Sequence, residues 1–203
     1  KTPYVSPADD GAIRLLVFGG SQGAKILSDV VPAAISALPA PLRARLEVVQ
    51  QCRPENLDSV REIYRASNVR AMLETFFDDM PTRIADSHLV IGRAGASTVS
   101  ELAAAGRPAI LIPYRFAMDD HQTANAEAMQ SSGAAWLMAE DDFTIEAVVR
   151  HLSDLFAAPD RLATTAAKAL AAGHADAAER LADAAEAIAN PANDNNASKE
   201  EAA

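Results

Sequence analysis

Ile13-Arg14-Leu15-Leu16-Val17-Phe18-Gly19-Gly20-Ser21-Gln22-Gly23-Ala24 is the stretch that decides the fold. An apolar run broken only by Arg14 stops abruptly at two glycines, as a buried strand does when it turns into a loop. Helical spacing follows over 24–38, with Pro32 expected to kink or break it. The same alternation continues outward along the chain. Strands are expected at Leu46–Gln51, Val69–Leu73, Leu89–Gly92, Pro108–Ile112 and Ala135–Met138. Helices are expected at Pro54–Ala66, Met80–Ser87, Thr98–Ala105 closed by Gly106, and Asp120–Ser132 ending at Gly133. From Thr144 to about Ala189 the pattern is helical and alanine-rich. Short strands alternating with helices require crossover connections, hence a parallel sheet buried on both faces. The expected fold is α/β, a Rossmann-like doubly wound parallel sheet of about six strands with C-terminal helices. Its ligand crevice lies where loops leave the carboxyl ends of the strands.

The chain has 203 residues and a formal charge of −10, from 18 basic and 28 acidic side chains. That length holds one α/β domain with a tail and not two such domains. The acidic balance argues against a nucleic-acid partner and against an electrostatic grip on anionic lipid. No signal peptide opens the chain, no apolar run approaches a membrane span, and a single cysteine, Cys52, excludes an internal disulfide. A soluble, cytoplasmic domain is the expectation. Residues 1–12 read as a linker remnant, 13–189 as the domain and 190–203 as a disordered tail without large apolar residues. Within 160–189, a helical hairpin broken at Gly173 competes with a coiled coil.

Three loops carry the polar residues from which chemistry could be built. Gly19–Ala24 follows a strand and opens a helix, where free N–H groups attract phosphate. It is neither the dinucleotide G-x-G-x-x-G nor a Walker A pattern, and Lys25 has the wrong spacing for one. The alternative is a glycine turn needed only for tight packing. Gly92-Arg93-Ala94-Gly95-Ala96-Ser97-Thr98 repeats the arrangement, and two such loops in one sheet suit a ligand with more than one anionic or polar portion. Arg93 could pair with such a ligand or lie on the surface. Glu101 completes a capping box, Thr98-Val99-Ser100-Glu101, or accepts hydrogen bonds from a ribose diol. In the third segment His121, Gln122 and Asn125 share one helical turn, suited to sugar hydroxyls or to a solvated face.

The remaining candidates point to structure. Asp78-Asp79, Asp119-Asp120 and Asp141-Asp142 each precede a helix and read as caps rather than metal ligands. His88, His151 and His174 have no clustered partners, and Cys52 has no base nearby in sequence. No metal site, cofactor motif or nucleophile elbow is present in the sequence.

Taken together, GGSQGA, FFDDMP, RAGASTVSELAAAGRPAILIPY and DDHQTANA resemble, in order and spacing, the C-terminal half of the MurG family. These are GT-B glycosyltransferases that carry N-acetylglucosamine from UDP-N-acetylglucosamine to undecaprenyl-pyrophosphoryl-MurNAc-pentapeptide (lipid I to lipid II) for peptidoglycan. The similarity runs from about Ile13 to Ala189. It implies that Ser21 and Gln22 contact the diphosphate, that Phe77 holds uracil through its backbone, and that Met80 walls that pocket. It implies further that Arg93 lies by the nucleotide, that Ala96, Ser97 and Thr98 face the phosphates, and that Glu101 binds the ribose hydroxyls. His121, Gln122 and Asn125 would read the N-acetylglucosamine. No cofactor and no metal are implied.

Family members have an N-terminal domain that binds the lipid I acceptor, meets the membrane and supplies the catalytic base. No catalytic residue is therefore expected in this chain, and a longer parent would lie on the cytoplasmic face of the inner membrane. Either the chain is the donor half of such a parent, or it is a single-domain subunit served by a separate acceptor-binding chain. A related transferase with another lipid acceptor is a further alternative.

Overall fold

The computed structural model describes residues 2–21, 23–117, 120–173 and 182, and contacts divide the chain into Lys1–Gly173 and His174–Ala203. The account below concerns the first unit. The expected tail, and the second arm of the hairpin after Gly173, lie outside the described residues.

Six strands form one parallel sheet: β1 (Ile13–Phe18), β2 (Leu46–Gln51), β3 (Arg70–Glu74), β4 (Leu89–Gly92), β5 (Ala109–Leu111) and β6 (Ala135–Leu137). Their order is β3-β2-β1-β4-β5-β6. The helices are α1 (Lys25–Ala37), α2 (Ala40–Arg43), α3 (Leu57–Ala66), α4 (Met80–Asp86), α5 (Ala96–Ala105), α6 (His121–Ser131), α7 (Ile145–Phe156) and α8 (Pro159–Ala172). The period of two along each strand separates two cores. Ile13, Leu15 and Val17 of β1 pack on one face with Leu27, Val31, Ile35, Val60 and Leu152 from α1, α3 and α7. Leu16 and Phe18 pack on the other with Ile84, Leu102, Met129 and Ala169 from α4, α5, α6 and α8. Both faces of β1, β4 and β5 are thus sealed, which explains their unbroken apolar runs.

Several boundaries differ from the sequence expectation, each for a local reason. α1 runs uninterrupted through the buried Pro32. Pro54 opens a single 3-10 turn, Pro54–Asn56, before α3 begins. β3 starts one residue later than expected, because Asn68 turns left-handed at φ 53° and the Val69 N–H closes back onto the Tyr64 carbonyl. The helical stretch after Thr144 is two helices, since Ala157–Ala158 break it and Pro159 opens α8. Thr144 caps α7 through its Oγ1 and the Ala147 N–H, so Asp141-Asp142 is not the cap; Asp79 and Asp120 occupy N-cap positions, but their carboxylates bond Arg83 and the Thr123 hydroxyl rather than the helix N–H groups.

The consequential difference is at α5. Its first residue is Ala96 and its N-cap is Gly95, two residues before the expected start. Thr98 is therefore inside the helix and Glu101 is its sixth residue. A capping box joins the N-cap to the third helical residue, so Glu101 is too deep to reach the N-cap N–H. The capping reading of Glu101 is withdrawn on that geometry.

Candidate functional site

The strand order reverses between β1 and β4, whose ends pair at Phe18 and Gly92. The loop after β1 leads to β2 and the loop after β4 leads to β5, so they diverge and leave a crevice. Close approach shapes the turn after β1: a Cβ on Gly19 would lie 2.4 Å from the Ala24 nitrogen. Gly20, at φ +82°, has open space on its Cβ side.

A cavity of about 190 Å³ occupies this crevice. Ser21, Phe77, Met80, Ser97, Thr98 and Glu101 line it, beside Phe18, Gly20, Gln51 and Phe76. Six residues named from sequence, drawn from three separate loops and helices, therefore converge on one space. Ligand pockets commonly run to about 300–1,000 Å³, so this one is large enough to enclose only part of a ligand of that class. A larger hollow of about 420 Å³ lies beside Leu16, Val49, Met72 and Arg83, where the β2–β3 side of the sheet is incompletely covered. Its arginines are already engaged: Arg70 pairs with Glu47, Arg83 with Asp79, and Arg14 donates to the Asp86 carbonyl. The smaller space has the chemistry.

Two helices begin at the cavity rim, and both begin bare. Neither α1 nor α5 has a side-chain cap or an acidic residue in its first turn. The same is true of α2, α4 and α6, whereas α3, α7 and α8 carry Asp58, Glu146 and Asp160 there, so it is the position of α1 and α5 beside the crevice that sets them apart. First-turn N–H groups lack partners within their own helix, and the helix dipole adds positive potential. Two such ends facing one crevice suit a diphosphate. Glu101 lies one and a half turns along α5 at the cavity wall. Partial burial raises its carboxyl pKa, and among the described residues it has no hydrogen-bond or ion-pair partner. A half-buried carboxylate without donors is suited to a ligand that brings hydroxyls.

The β5–α6 side of the rim is organised differently. Arg93 is 8% exposed and does not line the cavity. Its guanidinium donates to the Ile112 and Pro113 carbonyls and pairs with Glu140 at 2.9 Å, with the Tyr114 ring 5.2 Å away. Glu140 also accepts from the Arg115 N–H, and Gln122 Oε1 accepts from the Tyr114 N–H. Asn125 Nδ2 donates to the Ala94 carbonyl. Among the described residues, the Gln122 amide nitrogen and the Asn125 amide oxygen have no hydrogen-bond partner. His121 opens α6, and Gln22 lies outside the described residues.

Sequence reading missed Gln51 and Glu140. Gln51 accepts from the Gly19 N–H and donates to the Thr75 carbonyl, tying the glycine loop to the segment carrying Phe76 and Phe77. The available signal was the polar pair Gln50-Gln51 closing the strand after Val48-Val49. Cys52, next to it, is a buried thiol whose pKa burial pushes up. His151 packs edge-on to Trp136, and His174 lies outside the described residues. Among the described residues no three His, Cys, Asp or Glu side chains converge as a metal site, and no helix is long and apolar enough to cross a membrane.

Similarity to known proteins agrees with this geometry. Residues 14–181 match the Glycosyltransferase family 28 C-terminal domain. A curated relative is the UDP-N-acetylglucosamine--N-acetylmuramyl-(pentapeptide) pyrophosphoryl-undecaprenol N-acetylglucosamine transferase of Paramagnetospirillum magneticum, 54% identical over 89% of this chain and 48% of the relative. The protein of the same description from Rhodospirillum centenum is 53% identical over 90% of this chain and 48% of the relative. The chain spans about half the length of these relatives. Among solved structures, Acinetobacter baumannii MurG superposes with a TM-score of 0.78 at 31% identity, over 86% of this chain and 52% of that one. A UDP-GlcNAc 2-epimerase from Neisseria meningitidis, bound to UDP-GlcNAc, shares the fold at a TM-score of 0.58 and 12% identity, over 86% of this chain and 44% of that one. The match over 14–181, the relatives at half identity and the doubly wound sheet agree: the chain belongs to the family 28 glycosyltransferase C-terminal domains.

Proposed function

We propose that this chain binds the nucleotide-sugar donor of a transferase that moves N-acetylglucosamine from UDP-N-acetylglucosamine to the 4-hydroxyl of undecaprenyl-pyrophosphoryl-MurNAc-pentapeptide. The observation that carries the reading is Glu101, an unpartnered carboxylate in a cavity rimmed by two bare helix N-termini. Uracil enters between Phe77 and Met80 and pairs with the Phe77 backbone. The ribose hydroxyls donate to Glu101. The diphosphate lies over Ser21, Gln22 and the N–H groups of Ala96, Ser97 and Thr98. The hexose reaches toward His121, Gln122 and Asn125.

In the transfer step the acceptor oxygen attacks the anomeric carbon from the side opposite UDP, which inverts that centre. The bond from anomeric carbon to phosphate oxygen breaks, and its electron pair leaves with UDP. Charge gathers on the departing diphosphate, where both helix ends meet it without moving. The proton of the acceptor hydroxyl passes to a base in the acceptor-binding half. In this reading that half of the relatives, which this chain does not match, holds the lipid and meets the cytoplasmic face of the membrane.

Calorimetric titration of this chain with UDP tests the reading. A hydrogen bond to a charged group contributes roughly 1.5–3 kcal/mol, so Glu101→Ala is expected to weaken UDP binding on the order of tenfold to a hundredfold. A wild-type chain that takes up no UDP at millimolar concentration overturns the reading.

A further inference from the structure

Arg93 is expected beside the nucleotide, yet its guanidinium is spent elsewhere. It is buried, and among the described residues its partners lie on the β5 and β6 side of the rim: the Ile112 and Pro113 carbonyls, the Tyr114 ring and Glu140. Glu140 sits in the 3-10 turn Glu140–Asp142 after β6, with a side chain only 16% exposed. Its second oxygen takes the Arg115 N–H at 3.2 Å. Pro113, Tyr114 and Arg115 are thereby fastened at three successive residues. The middle one, Tyr114, donates its N–H to Gln122 Oε1 at 3.0 Å. One residue along from Arg93, the Ala94 carbonyl takes Asn125 Nδ2 at 3.0 Å. Of the two amides that face the hexose in the proposed function, Asn125 is thus held from the Arg93 loop and Gln122 from the strip that Arg93 and Glu140 fasten.

We propose that Arg93 and Glu140 are positioning residues, a buried pair that sets the Pro113–Arg115 strip and, through it, the Gln122 amide that reads the hexose. The pair touches neither base nor ribose, because neither side chain lines the nucleotide cavity. It joins the loop that opens α5, where the phosphates lie, to the start of α6, where the sugar lies. A rotated Gln122 amide loses alignment to the sugar, whereas the uridine cavity keeps its walls. The inference rests on the donor-binding reading and refines it.

The experiment titrates this 203-residue chain with UDP and, separately, with UDP-N-acetylglucosamine. Glu140→Ala is expected to weaken UDP-N-acetylglucosamine about tenfold, the worth of a hydrogen bond or two, and to leave UDP within about twofold. Glu140→Gln keeps one acceptor for Arg93 and is expected to restore most of the loss. Arg93→Lys, which keeps the charge but cannot span three acceptors, should repeat the split and serves if Glu140→Ala does not fold. Equal weakening toward both ligands in a folded variant overturns the inference, since it would put Arg93 at the nucleotide. Unchanged affinity for both overturns it as well. A wild-type chain that binds neither ligand instead overturns the donor-binding reading, and this inference with it.

Discussion

The two ends of the sheet treat their polar groups differently. At the amino end, polar groups are bonded to one another. His88 Nδ1 accepts the Arg14 N–H, the His88 carbonyl accepts the Tyr4 hydroxyl, and Arg107 donates to the carbonyls of Thr2, Ala85, Ala105 and Gly106. At the carboxyl end, Glu101 has no donor among the described residues, and α1 and α5 start without side-chain caps. Buried polar groups are normally satisfied, so the end with open valences is the end prepared for a ligand. The difference separates stability from binding: changes at one end should appear in melting, and changes at the other in affinity.

The largest expected effect is at the amino end. Arg107 is 2% exposed, and Arg107→Met would leave several carbonyls without donors. Each orphaned buried group costs about 1–3 kcal/mol, so a loss of about 3–5 kcal/mol in denaturant-measured stability is expected, with UDP affinity unchanged in the folded fraction. A weakened UDP affinity would break the division between the two ends.

A somewhat smaller effect concerns pH. Burial, with Arg14 and Arg107 nearby, lowers the His88 pKa from 6.5 to about 4. The fold favours neutral His88, so its contribution is complete above the unfolded value near 6.5. It is lost as pH falls through the interval down to about 4, where the unfolded chain takes the proton first. The loss is expected to be about 2–3 kcal/mol. Melting temperatures across this interval should fall in the wild type and fall less in His88→Asn, which keeps an acceptor for the Arg14 N–H. Parallel slopes would remove His88 from the account.

Asn125→Ala should show the smallest effect. One neutral hydrogen bond contributes about 1 kcal/mol, so UDP-N-acetylglucosamine should weaken about fivefold while UDP is spared. Equal weakening of both would blur the boundary between nucleotide and hexose regions.

The strands were legible because both faces of β1, β4 and β5 are buried, which writes continuous apolar runs into the chain. The start of α5 was not. Ala96 and Ser97 give no sign of being inside a helix, and Thr98-Val99-Ser100-Glu101 imitates a cap that the backbone does not use. That the loops carrying Ser21 and Ser97–Glu101 meet followed from the rule that loops at a strand-order reversal converge, whereas Phe77 and Met80 were named only through the family resemblance. The direction of Arg93 did not, since its partner Glu140 is 47 residues away and only the fold brings the two together. Gln51 hid for a similar reason. A glutamine at a strand end looks like surface until the strands on both sides of it are known.

The central claim is that the Glu101 carboxylate holds the ribose, and Glu101→Gln tests it most directly. Glutamine has nearly the same shape and keeps the wall of the cavity, but it loses the charge and one acceptor oxygen. Because burial raises the carboxyl pKa, the charged form costs the fold some stability, so the variant is expected to melt at the wild-type temperature or above it. Its UDP affinity, measured calorimetrically at pH 7.5, is expected to fall about tenfold. A Glu101→Gln chain that melts normally and binds UDP as tightly as the wild type would contradict the account.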